Sequence, residues 1–292
     1  MPDLTETVLV SGAGGFIGRH VLAALAARGS PVAVLPREMA AAEDIAATVR
    51  DMRPRVIVHL AGARGGLDLA ALYQANVGLA LSILSAAGRL SPAPKVVLAG
   101  SAAEYGPAAA SDLPVGEDYP CRPISPYGMT KLAQTLSGLA AAGMGVPTIT
   151  ARLFNVIGPG MPEHLALGRF AARIARLGPA GGVLRTGPLE ISRDFILVTD
   201  VASALVGLAF DADADGLVVN VCSGRPVSLA RLTRGLVDAS GLPVRIVQAK
   251  SSTGPLEAPI SYGRPDRLKA LGLGLPARDE QDLVRGLGLG VR

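Results

Sequence analysis

Short β-branched and aliphatic runs alternate along this chain with longer Ala- and Leu-rich stretches. TVLVS (7–11), PVAVL (31–35), RVIVHL (55–60), KVVLAGS (95–101) and TITARLF (148–154) have the length and composition of buried strands. The stretches between them, Gly15 to Arg28, Ala41 to Asp51, Leu69 to Arg89 and Tyr127 to Ala142, predict helices. Strand-helix alternation of this kind predicts βαβ units and a parallel sheet covered on both faces.

Beyond Gly158 the pattern loosens into Gly- and Pro-rich loops. It returns in DFILV (194–198), Thr199 to Phe210, VVNVCSG (218–224), Leu229 to Ser240 and VRIVQA (244–249). The expected fold is α/β: a Rossmann-type doubly wound parallel sheet with a small C-terminal substrate-binding lobe. The expected division assigns 1–157 and 195–222 to the dinucleotide-binding core, and 158–194 and 223–292 to the lobe.

Composition narrows the classes. The 292 residues carry 28 Lys and Arg against 24 Asp and Glu, scattered rather than clustered. That surplus suits an anionic small molecule as well as it suits nucleic acid, and no nucleic-acid partner is expected. Cys121 and Cys222 lie far apart without metal-site spacing, so two free thiols in a reducing cytoplasm are expected, with no metal. No charged leader precedes the first strand, and no apolar run reads as membrane-spanning, so a cytoplasmic protein off the membrane is expected.

Directly after the first strand stands SGAGGFIGRH, with Gly12, Gly15 and Gly18 opening a helix. Glycine permits a tight turn there and lets backbone N–H groups approach a pyrophosphate at the helix N-terminus. An acid closing the second strand would bind the adenosine ribose hydroxyls of NAD. Here Pro36 and Arg37 close it, with Glu38 beside them. A guanidinium at that point suits the 2′-phosphate of NADP, so NADP(H) is favoured over NAD(H); otherwise Arg37 is a solvated loop residue.

Ser125 can cap a helix whose first turn holds Pro126, which puts Tyr127 and Lys131 one turn apart on one face. An ammonium beside a phenol favours the phenolate and brings its proton within reach of neutral-pH chemistry. Ser101, ending the KVVLAGS strand, is placed to orient a substrate oxygen toward Tyr127; its plain alternative is a turn former. Ser101, Tyr127 and Lys131 are the expected catalytic set.

Together these motifs resemble the extended short-chain dehydrogenase/reductase (NAD-dependent epimerase/dehydratase) family over nearly the whole chain. HLAG (59–62), the Asn76 region, ARLFNVIGPG (151–160), SRDFILVTDVASA (192–204) and NVCSG (220–224) stand in that family's order. EYG, RPISPYG, FNVIGPG, GPLEISRDF and NVCSG are most similar to the GDP-4-keto-6-deoxy-mannose reductases. The resemblance implies that Phe16, Ile17, Leu60, Ala61 and Gly62 join the glycines, Tyr127 and Lys131 around the dinucleotide. It implies that Asn155, Arg193 and Glu257 face the substrate nucleotide with help from Arg185, and that the chain forms a homodimer through the helices at 69–89 and 127–142.

The chain also departs from that pattern. Gly254 replaces the arginine common before the position of Glu257. Ala103 stands where dehydratases carry an acid, so dehydration is not expected. The segment after Pro36 has no room for the usual third strand and its adenine-contacting aspartate.

The leading expectation is an NADPH-dependent ketoreductase acting on a nucleotide-linked 4-keto-6-deoxysugar, in deoxysugar biosynthesis. Its rivals are an epimerase with tightly held NAD, a reductase of a non-nucleotide carbonyl, and a non-catalytic NADP(H)-binding regulator.

Overall fold

A computed structural model describes residues 7–37, 41–65, 68–249 and 258–288. The first half alternates as the pattern predicts: β1 (Val8–Ser11), α1 (Phe16–Arg28), β2 (Val32–Leu35), α2 (Ala42–Met52) and β3 (Val56–His59). Then come α3 (Leu69–Tyr73), α4 (Leu79–Gly88), β4 (Lys95–Ser101), α5 (Pro126–Gly143) and β5 (Thr148–Leu153). With β9 (Val218–Val221) these strands form one parallel sheet in the order β2-β1-β3-β4-β5-β9.

Residue alternation sorts the two faces of this sheet. Val8 and Val10 of β1 pack with Val21 and Leu25 of α1 and with α7 (Val198–Phe210), whereas Leu9 points to the opposite core with Ile45 and Val49 of α2 and Ile83 of α4. Both faces being covered, every strand but β2 is buried throughout or nearly so. β2 is the sheet edge, and its Val32 and Val34 are exposed. Among the described residues, no third strand of the usual kind lies beyond it.

The lobe has its own core. β6 (Asn155–Ile157) pairs in parallel with β8 (Ser192–Leu197), which also pairs with β10 (Pro226–Ser228) and β12 (Ile260–Ser261). β7 (Gly182–Thr186) and β11 (Val244–Gln248) form a separate parallel ribbon. α6 (Ala166–Ala175), α8 (Leu229–Ser240) and α10 (Glu280–Gly286) bury Leu167, Phe170, Ile174, Leu232, Leu236 and Leu283 against Phe195 and Leu197. α9 (Asp266–Ala270) returns the chain to β9. The DFILV run therefore joins the lobe sheet, although α7 directly after it packs on α1 in the main domain.

Two sequence expectations about the helix at 69–89 need correction. A π-helical turn over Gln74–Gly78 separates α3 from α4. The continuous helical stretch Leu69–Gly88 is also long and apolar enough to cross a membrane by length and composition alone. Core helices pass that same test. This one packs against α2 and α5 and carries the fully buried Asn76, whose side chain is hydrogen-bonded within the fold.

Candidate active site

β1 lies between β2 and β3, so the chain reverses its winding direction there and leaves a crevice beyond the carboxyl ends of β1 and β3. Gly12 (φ +72°) sits where the two loops touch: a Cβ on it would lie 2.5 Å from Ala61 N. A Cβ on Gly18 would lie 2.2 Å from Gly12 O, so that glycine lets α1 close on the loop. Gly15 is the N-cap of α1, which has no side-chain cap and no acid in its first turn. Its first N–H groups and the positive end of its dipole are thus left for an anion.

These residues fit a dinucleotide. The glycines bring backbone close to where a pyrophosphate would rest, and Gly14 opens on empty space. Half-buried Phe16 and Ile17 start α1, and Leu60, Ala61 and Gly62 follow β3 across the crevice. Leu60 N–H donates to Ser11 O at 3.1 Å, which holds the second loop against the first. Arg37 is exposed just past β2, and Glu38 lies outside the described residues.

β4 and α5 bring the remaining predicted groups to the same crevice. Ser125 caps α5 by accepting from Gly128 N at 3.0 Å, and Pro126 occupies the first turn. Ser101 ends β4, and its hydroxyl, which accepts from Ala103 N at 3.2 Å, lies beside the Tyr127 phenol. Burial pushes the Tyr127 hydroxyl up, while the Arg64 guanidinium and the Ser101 hydroxyl pull it down.

Lys131 is buried, and its ammonium donates to Ala99 O at 2.7 Å and Gln134 Oε1 at 2.8 Å. Burial lowers its pKa to about 8, against the pull of Glu104. A Cβ on Gly62 would come within 3.8 Å of that ammonium nitrogen, so Lys131 reaches the loop after β3 from beneath. Tyr127 is the group of this pair that meets Ser101.

The substrate candidates divide. Asn155 of β6 donates to Asp194 O at 3.2 Å, and Arg193 lies beside it in β8, between Val227 and Ser261. Arg185 is elsewhere: it stands on the β7–β11 ribbon, lining a hollow of about 330 Å³ with Arg173 and Arg176. Glu257 and Gly254 lie outside the described residues.

Sequence reasoning missed the supports of this site. Glu104 is fully buried; its carboxylate accepts from Ser101 N at 2.8 Å, Thr135 Oγ at 2.9 Å and Arg152 Nε at 2.8 Å. Asp194 accepts from Ser223 N and Oγ and from Gly224 N at 2.7–2.9 Å, fastening β8 to the loop after β9. Asn76 accepts from Ala63 N and donates to Ala63 O and to Thr130 Oγ, each at 2.8 Å. A lone Asn in an Ala/Leu-rich helix, and a Glu directly before EYG's tyrosine, were the available signals.

A glycine-cradled crevice at a topological switch point, with a tyrosine, serine and buried lysine at its mouth, defines a dinucleotide-dependent enzyme of Rossmann type. The model of the NAD dependent epimerase/dehydratase family matches residues 8–222, and the chain belongs to that family of NAD(P)-dependent enzymes. Among its relatives, dTDP-6-deoxy-L-talose 4-dehydrogenase (NAD(P)(+)) of Kitasatospora kifunensis is 34% identical over 85% of this chain and 84% of its own. GDP-6-deoxy-D-mannose reductase of Pseudomonas aeruginosa is 32% identical over 84% of each chain. The structure of RMD from Pseudomonas aeruginosa complexed with NADPH superposes with a TM-score of 0.84, at 30% identity, over 97% of this chain and 98% of that one.

Proposed function

We propose that the protein reduces the ketone of a nucleotide-linked 4-keto-6-deoxysugar with NADPH. The observation that carries this reading is the convergence of Tyr127 and the buried Lys131 of α5, with Ser101 at the end of β4, on the loop at Gly62 beside the glycine cradle. When bound, the reduced nicotinamide would supply the hydride for the carbonyl carbon. Tyr127 would give its proton to the oxygen that gains charge, Ser101 would orient that oxygen, and Lys131, beside Gly62, would hold the cofactor ribose. Asn155 and Arg193 take the substrate diphosphate.

Two further observations support the substrate class. The two relatives above act on dTDP- and GDP-linked 6-deoxysugars by name. Ala103 leaves the strand-end turn without the acid that sugar dehydration needs. Arg37, exposed past β2, supports NADPH over NADH.

Homodimerisation belongs to the same proposal. α5 packs beside the continuous α3–α4 helix, and the two expose Leu69, Tyr73, Leu81 (48%), Met129, Leu136 (56%) and Leu139. Met129, Leu136 and Leu139 share one stripe of α5, so a two-fold axis there would bury both faces in a four-helix contact.

The test is to titrate the protein with NADPH and NADH, then add GDP- and dTDP-linked 4-keto-6-deoxysugars while following the reduced nicotinamide. Consumption of NADPH with one of them supports the reading. Binding of cofactor with no consumption overturns the sugar assignment, and slow return of tightly held NAD during sugar interconversion would make the protein an epimerase. Tyr127→Phe should cut turnover by about 10²–10⁴-fold and leave NADPH affinity nearly unchanged, whereas a cofactor-binding regulator would not respond to it.

A further inference from the structure

We propose that Gln134 is a positioning residue for Lys131: its side-chain carbonyl pins the ammonium between α5 and the end of β4 and lets the charge persist in a buried place. The inference rests on the reading above, in which Lys131 holds the cofactor ribose, and its first test reads the ammonium alone.

Gln134 follows Lys131 by three residues on α5, so the two side chains share one helix face. It is fully buried, its Oε1 accepting from Lys131 Nζ at 2.8 Å and its Nε2 donating to Ala99 O at 3.4 Å. Lys131 Nζ donates to that same Ala99 O at 2.7 Å, so the three groups close a hydrogen-bonded triangle. One orientation of the amide satisfies it. Turned over, the NH2 would face an ammonium that has no lone pair, and the carbonyl would face Ala99 O. Burying an amide costs solvation, and an apolar side chain would fill the same volume. What the amide adds is an acceptor for Lys131.

The charged groups around Lys131 do not replace that acceptor. Glu104, in the turn after β4, favours the ammonium, but its carboxylate is already bonded to Arg152, Thr135 and the Ser101 N–H. His59, at the end of β3, is fully buried, and burial followed by the Lys131 charge lowers its pKa to about 3, so it is neutral. Tyr127 lies one turn back on α5, and the Arg64 guanidinium, from the loop after β3, stands 5.4 Å from the centroid of its ring. Among the described residues, the hydrogen-bond acceptors of Lys131 are the neutral carbonyls of Ala99 and Gln134. Burial lowers its pKa to about 8 against the pull of Glu104. Carbonyl dipoles hold an ammonium without cancelling its charge, as an acid at position 134 would. One of its three donors is then left for a ligand oxygen, on a nitrogen that stands 3.8 Å from a Cβ placed on Gly62.

The experiment is a carbon NMR titration of the full chain with its lysines labelled at Cε. The sequence holds four lysines, Lys95, Lys131, Lys250 and Lys269, and the Lys131 signal is the one lost in Lys131→Met. In Gln134→Met, which keeps the side-chain length without the acceptor, the Lys131 midpoint should fall by about one pH unit, a roughly tenfold drop in charged fraction at a fixed pH above it. In Gln134→Glu it should rise by about one unit or more. A residue that only fills space would change stability without moving the midpoint in opposite directions. Gln134→Met should also weaken NADPH binding. A Lys131 midpoint that stays in place in both variants, or moves the same way in both, overturns the proposal, as does unchanged NADPH binding beside a shifted midpoint. If Gln134→Met does not fold, the lack of an upward shift in Gln134→Glu overturns it alone. Should Lys131→Met bind NADPH and turn over as the native chain does, the fault lies with Lys131 as a cofactor ligand, and the role of Gln134 falls with it.

Discussion

Arg152 Nε donates to Glu104 Oε2 at 2.8 Å in the interior behind the active crevice, the carboxylate fully buried and the guanidinium nearly so. The pair joins β5 to the turn after β4. Through Glu104 Oε1 it also holds the backbone N–H of Ser101, so the serine that meets Tyr127 is set from behind by a buried charge. Arg152 extends the support by donating to Glu117 O at 3.1 Å.

Removing one member of such a pair leaves the other charge buried and unpaired. Glu104→Ala should lower unfolding free energy by about 3–5 kcal/mol, measured by urea denaturation. Replacing both residues with apolar ones of similar volume, Glu104→Leu with Arg152→Met, should recover a large part of that loss. Equal losses in the single and double variants would show that the two residues do not act as a pair.

The glycine loop makes a contrast within five residues. An added Cβ at Gly14 meets nothing within 4 Å, while at Gly18 it meets backbone atoms at 2.2–2.7 Å. Gly14→Ala should leave the thermal midpoint within a degree or two, and Gly18→Ala should lower it by several degrees and abolish dinucleotide binding, since overpacking costs about 1–3 kcal/mol. Differential scanning calorimetry with and without NADPH reads both.

His59 ends β3 fully buried, its Nδ1 2.7 Å from Ser11 Oγ and its Nε2 without a hydrogen-bond partner among the described residues. Burial, helped by Lys131, lowers its pKa from 6.5 to about 3. Between those values the unfolded chain binds a proton that the folded chain refuses, so stability falls as pH drops through that window, by up to about 1.4 kcal/mol per pH unit. Lys131 adds no slope there, because its folded and unfolded values both lie above it. His59→Gln should flatten the stability curve between pH 6 and pH 4 relative to the native chain, each followed by urea denaturation. Parallel curves would place the proton elsewhere.

Leu136 is 56% exposed at the centre of the apolar stripe on α5. Leu136→Arg should convert a dimer to a monomer in sedimentation velocity while leaving the circular dichroism of the fold unchanged. If the native chain already sediments as a monomer, the four-helix contact is wrong.

Much of this architecture was legible in local pattern. Strand runs of four to seven residues, the glycines at the β1–α1 joint and the Ser-Pro start of α5 each act within a few residues of themselves. Backbone sterics and capping are short-range, so their signatures survive in the linear chain. The same holds for Tyr127 and Lys131, which share a helix face by spacing alone.

What spacing on one helix does not tell is where each head group turns. Lys131 goes to Ala99 and Gln134, and the cation over the Tyr127 ring arrives from a different βα loop. Arg185, grouped with Arg193 by motif order, stands on another ribbon because β7 pairs with β11 and β8 pairs with β6, β10 and β12.

By itself, then, the sequence determined the element types, the doubly wound sheet, the glycine turn at the β1–α1 joint and the shared helix face of Tyr127 and Lys131, all of which follow from local conformational preference, spacing and hydrophobic period. Only the tertiary structure decided which buried charges meet, which loop covers Tyr127 and which strands build the lobe. Those outcomes depend on strand order and on pairing between residues far apart in the chain, and a buried polar group takes whichever partner the closed fold brings within hydrogen-bonding distance.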